Sequence, residues 1–256
     1  MTFITSREPV VVRSEGQKVF GVVHRPDEPG QYPGIVIFHG FLGSKDQPHR
    51  MPVELAEALA RTGIIALRVD LRGRGDSEGD SIDMTWRGDM ADAQAALDWL
   101  ATSEGVDVNR LGALGLSWGG LLAPCLAGRD PRIKATVIWS AVPTETLPWK
   151  PPFDLINGHE VVENFAMLVG RQFYDTLPDF HPLAEARHAR SPMLLIYGSA
   201  DDSVPSADVT HFQHEMESVG VRCEVSVIED ADHIFFRYVW TEQVIQQTVA
   251  WLKQTL

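Results

Sequence analysis

Leu111-Gly112-Ala113-Leu114-Gly115-Leu116-Ser117-Trp118-Gly119-Gly120-Leu121-Leu122-Ala123 passes from a strand pattern into a helix pattern with one serine at the junction. Leu111–Gly115 reads as a short buried strand and Leu121–Ala127 as a helix. Between them stands Gly-x-Ser-x-Gly, the spacing of a nucleophile elbow. There a strand runs straight into a sharp turn that presents the serine hydroxyl, and the glycines keep side chains off the strained backbone and let the helix pack closely. The same spacing recurs at Gly75-Asp76-Ser77-Glu78-Gly79. That copy lies in a polar loop, past a strand ending before Asp70, and Gly79-Asp80-Ser81 follow in place of a helix. Ser117 is therefore the expected nucleophile, and Ser77 a residue of a glycine-rich turn.

The sequence on either side repeats the alternation. Upstream, Val10–Val12 and Val19–Val23 read as a hairpin turning at Gly16, and Gly34–Phe38 is apolar on both faces, as a strand inside a parallel sheet must be. A helix from about Pro52 to Thr62 carries Val53, Leu55, Ala56, Leu59 and Ala60 on one stripe and stops at Gly63; Ile64–Val69 is the next strand. Asp83–Ala101 places Trp86, Met90, Ala93, Leu97 and Leu100 at helical steps. Downstream come strands at Ile133–Trp139, Met193–Tyr197 and Val221–Ile228, with helices at Val204–Gly220 and Gln243–Leu256. Strands alternating with helices of ten or more residues predict an α/β protein, a mostly parallel, doubly wound sheet with right-handed crossovers. One stretch breaks the rhythm. About fifty residues separate Trp139 from Met193, far more than the ~2–6 of an ordinary connection. They are too rich in Trp, Phe and Leu for a disordered linker. The expected organisation is a core of 1–141 and 191–256 with an inserted cap at 142–190, between the sixth and seventh core strands.

A serine hydroxyl is a weak nucleophile near neutrality and needs an adjacent base. In a doubly wound sheet that base belongs at the carboxyl edge of the strands. His233, in Glu229-Asp230-Ala231-Asp232-His233, follows the last strand and fits. His211 and His214 sit on a helix as a solvated pair, and the remaining histidines precede the nucleophile or lie in the insertion; His39 is expected to brace its own loop. The base in turn needs a carboxylate to hold its tautomer. Gly198-Ser199-Ala200-Asp201-Asp202-Ser203-Val204-Pro205 follows a strand and offers Asp201 or Asp202. A tetrahedral intermediate needs two backbone N–H donors. Trp118, after the nucleophile, supplies one, and Phe41, in the loop His39-Gly40-Phe41-Leu42-Gly43, the other.

Composition limits the partners. The chain has 256 residues, 44% hydrophobic and 22% charged, and a net charge of -13 from 22 Lys+Arg and 35 Asp+Glu. So negative a surface repels phosphates, which argues against nucleic acid and anionic membranes. Cys125 and Cys223 lie among apolar neighbours and read as small buried hydrophobes. No apolar run approaches the ~18–20 residues of a membrane span. Met1–Pro9 lacks the apolar segment of a signal peptide, so the expected location is cytoplasmic. No phosphate-binding glycine loop or metal-ligand cluster argues for a cofactor or a metal. The oligomeric state is open.

Taken together, these motifs resemble the α/β-hydrolase superfamily over nearly the whole chain. His39-Gly40-Phe41 resembles its oxyanion loop. Asp70–Gly79 resembles the structural loop after its fourth strand, which accounts for the second Gly-x-Ser-x-Gly. Gly115–Gly119 matches the elbow, and Ala231-Asp232-His233 the histidine loop. Gly198-x-x-Asp201-x-x-Val204-Pro205 resembles the acid loop, and that register implies Asp201. Within the superfamily, His39-Gly40-Phe41, the insertion and Arg171-Gln172-Phe173-Tyr174 resemble the cinnamoyl/feruloyl esterases and related bacterial carboxylesterases. Trp118, bulky beside the nucleophile, and Pro124, inside the following helix, depart from the pattern and bear on the shape of the acyl pocket. The resemblance implies a serine carboxylesterase acting on a small-molecule ester without a cofactor. Leu42 and the insertion's Phe165, Met167 and Phe173 are expected to bind substrate, with Trp149, Phe153, Leu155, Leu168 and Tyr174 also roofing the site. A peptidase or amidase with the same triad, a carbon–carbon bond hydrolase, and a non-enzymatic receptor on a hydrolase scaffold are the alternatives.

Overall fold

In the computed structural model, which describes residues 2–145, 147 and 151–256, strands β1 (Thr5–Ser14) and β2 (Gln17–Pro26) open the chain as an antiparallel hairpin. Glu15 and Gly16, both at positive φ, make its two-residue turn, the geometry that matches the twist of the flanking strands. Strands β3 (Tyr32–Phe38), β4 (Ile65–Val69), β5 (Val106–Leu116), β6 (Ile133–Trp139), β10 (Met193–Gly198) and β11 (Cys223–Ile228) follow. The eight form one sheet in the order β1-β2-β4-β3-β5-β6-β10-β11, parallel from β4 onward.

Both faces of the sheet are covered, and strand alternation shows how. Val36 and Phe38 of β3 face the side of the sheet that holds α2 (Trp86–Ala101), α3 (Trp118–Arg129) and α6 (Ser206–Ser218), whereas Ile35 and Ile37 face the side that holds α1 (Met51–Arg61) and α7 (Tyr238–Thr255). A strand buried on both sides cannot alternate apolar with polar, hence the unbroken run Gly34–Phe38. Several expected helix boundaries shift, α3 for one beginning at Trp118 and not at Leu121. α2 begins at Trp86 because the Thr85 hydroxyl caps it, accepting from Gly88 N–H at 3.1 Å, while Ser81–Asp83 forms a separate 3₁₀ turn. α7 begins at Tyr238, five residues before the apolar pattern suggests.

Between β6 and β10 the chain builds a small antiparallel sheet, β7 (Asp154–Ile156), β8 (His159–Asn164) and β9 (Met167–Gly170), then short helices α4 (Arg171–Thr176) and α5 (Pro182–Ala186). Val169, Phe173, Leu177, Phe180 and Leu183 are fully buried and join the core on the α2–α3 side of the main sheet. Ser81 Oγ donates to Leu168 O at 2.8 Å and Trp86 Nε1 to Thr176 O at 2.9 Å, fastening the insertion to the start of α2. Trp149 lies outside the described residues.

Candidate active site

Ser117 stands between β5 and α3 at φ 52°, ψ -114°, a conformation that costs a non-glycine residue of order 1–3 kcal/mol. Its neighbours explain how the turn is tolerated. A Cβ on Gly115 would strike the Gly119 carbonyl, one on Gly119 the carbonyls of Phe38 and His39, and one on Gly120 the Ala141 side chain. The glycine pattern is thus a packing requirement of strand against helix.

Ser117 Oγ lies 3.0 Å from His233 Nε2, and His233 Nδ1 lies 2.8 and 3.0 Å from the two oxygens of Asp201. The carboxylate can accept but not donate, so Nδ1 carries the proton and Nε2 is left to accept from the serine. Asp201 is buried and also accepts from Ser203 N–H at 2.9 Å. Asp202 faces solvent. Asp232 Oδ1 accepts from Ile234 and Phe236 N–H at 3.0 Å each, bracing the turn that carries His233. His211 and His214 are exposed on α6.

The loop after β3 flanks the serine: a Cβ on Gly40 would lie 3.5 Å from Ser117 Cβ. His39 is buried there and fixes the loop. Its Nε2 accepts from Leu71 N–H at 3.1 Å, which leaves the proton on Nδ1 to donate to Gly40 O at 2.7 Å. Gly43 N–H donates to the same oxygen at 3.0 Å. Gly40 O and Phe41 N–H belong to one planar peptide and point opposite ways, so holding the carbonyl aims the N–H. Burial, helped by the Arg74 guanidinium, pushes the His39 pKa down to about 4.

Trp118 turns its indole away from the cleft. It is 2% exposed, and Nε1 donates to Asp89 Oδ2 at 2.8 Å. Asp89 is buried and also accepts from Arg74. Burial pushes the Asp89 carboxyl pKa up, while Arg74 and Trp118 pull it down. Trp118's bulk therefore lies outside the cleft beside Ser117. Pro124 is accommodated within α3. Ser77 Oγ accepts from Phe20 N–H at 2.8 Å and donates to Asp70 O at 2.7 Å, a structural tie between loop and hairpin.

A cleft of about 610 Å³ opens beside Ser117 and His233. Phe41, Leu42, Phe165 and Met167 line it, as expected. Phe173 does not: it is fully buried, with its ring centroid 5.4 Å from Phe41 and 5.3 Å from Trp118. It props those residues from beneath, because α4 turns it into the core. Leu155, Leu168 and Tyr174 are likewise absent from the cleft wall, as is Phe153, whose ring packs on Tyr174 at 5.7 Å. Sequence reasoning missed Gln47, Pro48 and Ile234 in the wall; Ile234 was signalled only by following His233. It also missed Asp89, although Trp86, Asp89 and Ala93 share one helical stripe, which puts a carboxylate where a partner is required. Cys125 and Cys223 are buried and unpaired by disulfide, and burial pushes both thiols up, Cys223 to about 12. Among the described residues no cluster suited to a metal is found, and no helix is long and apolar enough to cross a membrane.

Comparison with known proteins bears on this geometry. A protein of Yersinia pestis provisionally named carboxymethylenebutenolidase is 23% identical over 88% of this chain and 76% of its own length. A Methylorubrum extorquens protein of the same provisional name is 25% identical, and the chain spans only 65% of that relative's length. Among solved structures, Est1E of Butyrivibrio proteoclasticus with bound ferulic acid superposes with TM-score 0.82 at 21% identity, over 96% of this chain and 98% of that one. A Klebsiella pneumoniae protein provisionally assigned as a dienelactone hydrolase superposes with TM-score 0.72 at 20% identity, over 98% and 99%. These likenesses show the α/β-hydrolase fold. The model of the dienelactone hydrolase family matches residues 19–255, nearly the whole chain, and this chain belongs to that family of hydrolases.

Proposed function

We propose that the protein is a serine carboxylesterase acting on short-chain or aryl esters. The observation that carries this reading is the aligned series Ser117 Oγ, His233 Nε2 and Nδ1, and Asp201, each within 3.0 Å of the next, at the floor of a mostly apolar cleft. In the proposed reaction Ser117 Oγ attacks the ester carbonyl as its proton passes to His233 Nε2. Asp201 stabilises the imidazolium, and the N–H groups of Phe41 and Trp118 receive the oxyanion. Collapse of the tetrahedral intermediate breaks the carbonyl–alkoxy bond, and His233 returns the proton to the leaving alcohol. Water, deprotonated by His233, then attacks the acyl-enzyme, releasing the acid and restoring Ser117. Residues 142–190 serve as the cap, with the β8–β9 hairpin over the cleft. The substrate is a small molecule, not nucleic acid or a membrane, and the working compartment is the cytoplasm.

A lactone is a cyclic ester and passes through the same steps, so the relatives' provisional name supports lactone hydrolysis as a second reading. A p-nitrophenyl ester chain-length series, with a hydroxycinnamate ester and an anilide alongside, tests the proposal. Esters should turn over and the anilide should not. Ser117→Ala should lower kcat by about 10⁴-fold or more, and Ser77→Ala should leave the chemical step intact. Turnover that survives Ser117→Ala would refute the assignment.

A further inference from the structure

The wall beside Ser117 is built largely from Leu42, Leu116, Phe165, Met167 and Ile234, and among the described residues no lysine or arginine lines it. Three of the cations nearby in the fold are committed elsewhere. Lys45 Nζ bonds to Asp70 and to Asp76 at 2.6 Å each. Arg74 is buried against Asp89, and Arg68 donates to His24 at 3.0 Å and to Lys45 O at 3.1 Å. Arg50, before α1, faces solvent. In sequence the wall is flanked by charges of both signs: Lys45 after the lining Ser44 and Arg74 before the lining Gly75, each paired as described, and Asp46 beside the lining Gln47, Asp76 after Gly75 and Asp232 before His233. A hydrogen bond from Ser44 at 2.6 Å holds the Asp46 carboxyl pKa below its usual range, so it stays ionised.

We propose that this site selects esters uncharged in both the acyl and alcohol parts and rejects those bearing a carboxylate, including the carboxylated lactone that the relatives' provisional name denotes. The inference rests on the esterase reading above. A carboxylate entering the cleft loses hydration and finds no cation in exchange among the described lining residues. The ionised Asp46 at its margin, and a net charge of -13 over the whole chain, add repulsion before it arrives.

p-Nitrophenyl butyrate and p-nitrophenyl hemisuccinate test the inference, because they differ only in a terminal methyl against a terminal carboxylate. The parent enzyme should show kcat/KM lower for the hemisuccinate by roughly 10²-fold or more. Gln47→Arg, which places a cation in the wall, should narrow that ratio by about tenfold. Comparable kcat/KM for the two esters would overturn the charge selection and leave the esterase reading standing. A gap narrowed neither by Gln47→Arg nor by salt at about 0.5 M, where charges are screened within a few ångströms, would assign the rejection to shape and overturn it as well. Failure of Ser117-dependent turnover for both esters would bring down the esterase reading and the inference with it.

Discussion

Ser117 keeps a backbone conformation that most L-residues avoid, and its surroundings show why the strain persists. Glycines at 115, 119 and 120 admit carbonyls and a methyl group where side chains would collide. This much was legible in the sequence, because an elbow is a local device whose strand, serine and glycines are contiguous. The acid was less so. Asp201 and Asp202 are neighbours of the same type, and the residues alone left both open; only the spacing shared with the superfamily favoured Asp201. In the structure Asp201 is buried against His233 Nδ1, and Asp202 faces water. Asp201→Asn should therefore lower kcat by about 10²–10⁴-fold, since an amide stabilises the wrong imidazole tautomer, while Asp202→Asn should change it less than threefold. Steady-state kinetics on one p-nitrophenyl ester decides between them, and equal losses would contradict the assignment.

The β8–β9 hairpin shows how an element can hold a residue at a local cost. Asn164 pairs with Met167 across a two-residue turn, Phe165-Ala166, with both residues at positive φ. Asn-Gly suits that geometry; Phe-Ala is strained there. Phe165 is nevertheless 79% exposed and lines the cleft, so no burial offsets the strain. Backbone strain at such a place points to function. Phe165→Asn should leave the melting temperature unchanged or raise it by a degree or two, and should lower kcat/KM for aryl esters several-fold while an acetate ester is less affected. Calorimetry with paired kinetics checks both halves, and unchanged aryl-ester kinetics would deprive Phe165 of its substrate-facing role. Phe173, by contrast, was not legible as core. An aromatic in an insertion near a site reads the same whether it faces the cleft or props Phe41 and Trp118 from below, and only the turn of α4 distinguishes the two.

Across the whole molecule the alternation of strand and helix was readable because the crossover helices α1 and α2 carry apolar stripes. The buried polar ties between distant segments were not, since Arg74–Asp89–Trp118 and Leu71–His39–Gly40 join residues far apart in sequence. Those ties have a pH signature. Burial pushes both His39 and His24 from 6.5 down to about 4. A group whose folded pKa is depressed binds its proton first in the unfolded chain, so stability is present above pH ~6.5 and falls as pH drops toward 4. Urea unfolding should lose on the order of 2 kcal/mol per histidine between pH 7 and pH 5, and His24→Gln should remove one share of that loss; a flat profile would contradict the neutral, buried state of both rings. The central claim is that Ser117, activated by His233, forms the acyl-enzyme. Its most direct test is intact-mass and peptide-mapping analysis after reaction with a fluorophosphonate probe. The account predicts one adduct, on Ser117, formed at least about 10³-fold more slowly in His233→Ala and absent in Ser117→Ala. An adduct on Ser77 or Cys125, or full labelling of Ser117→Ala, would contradict it.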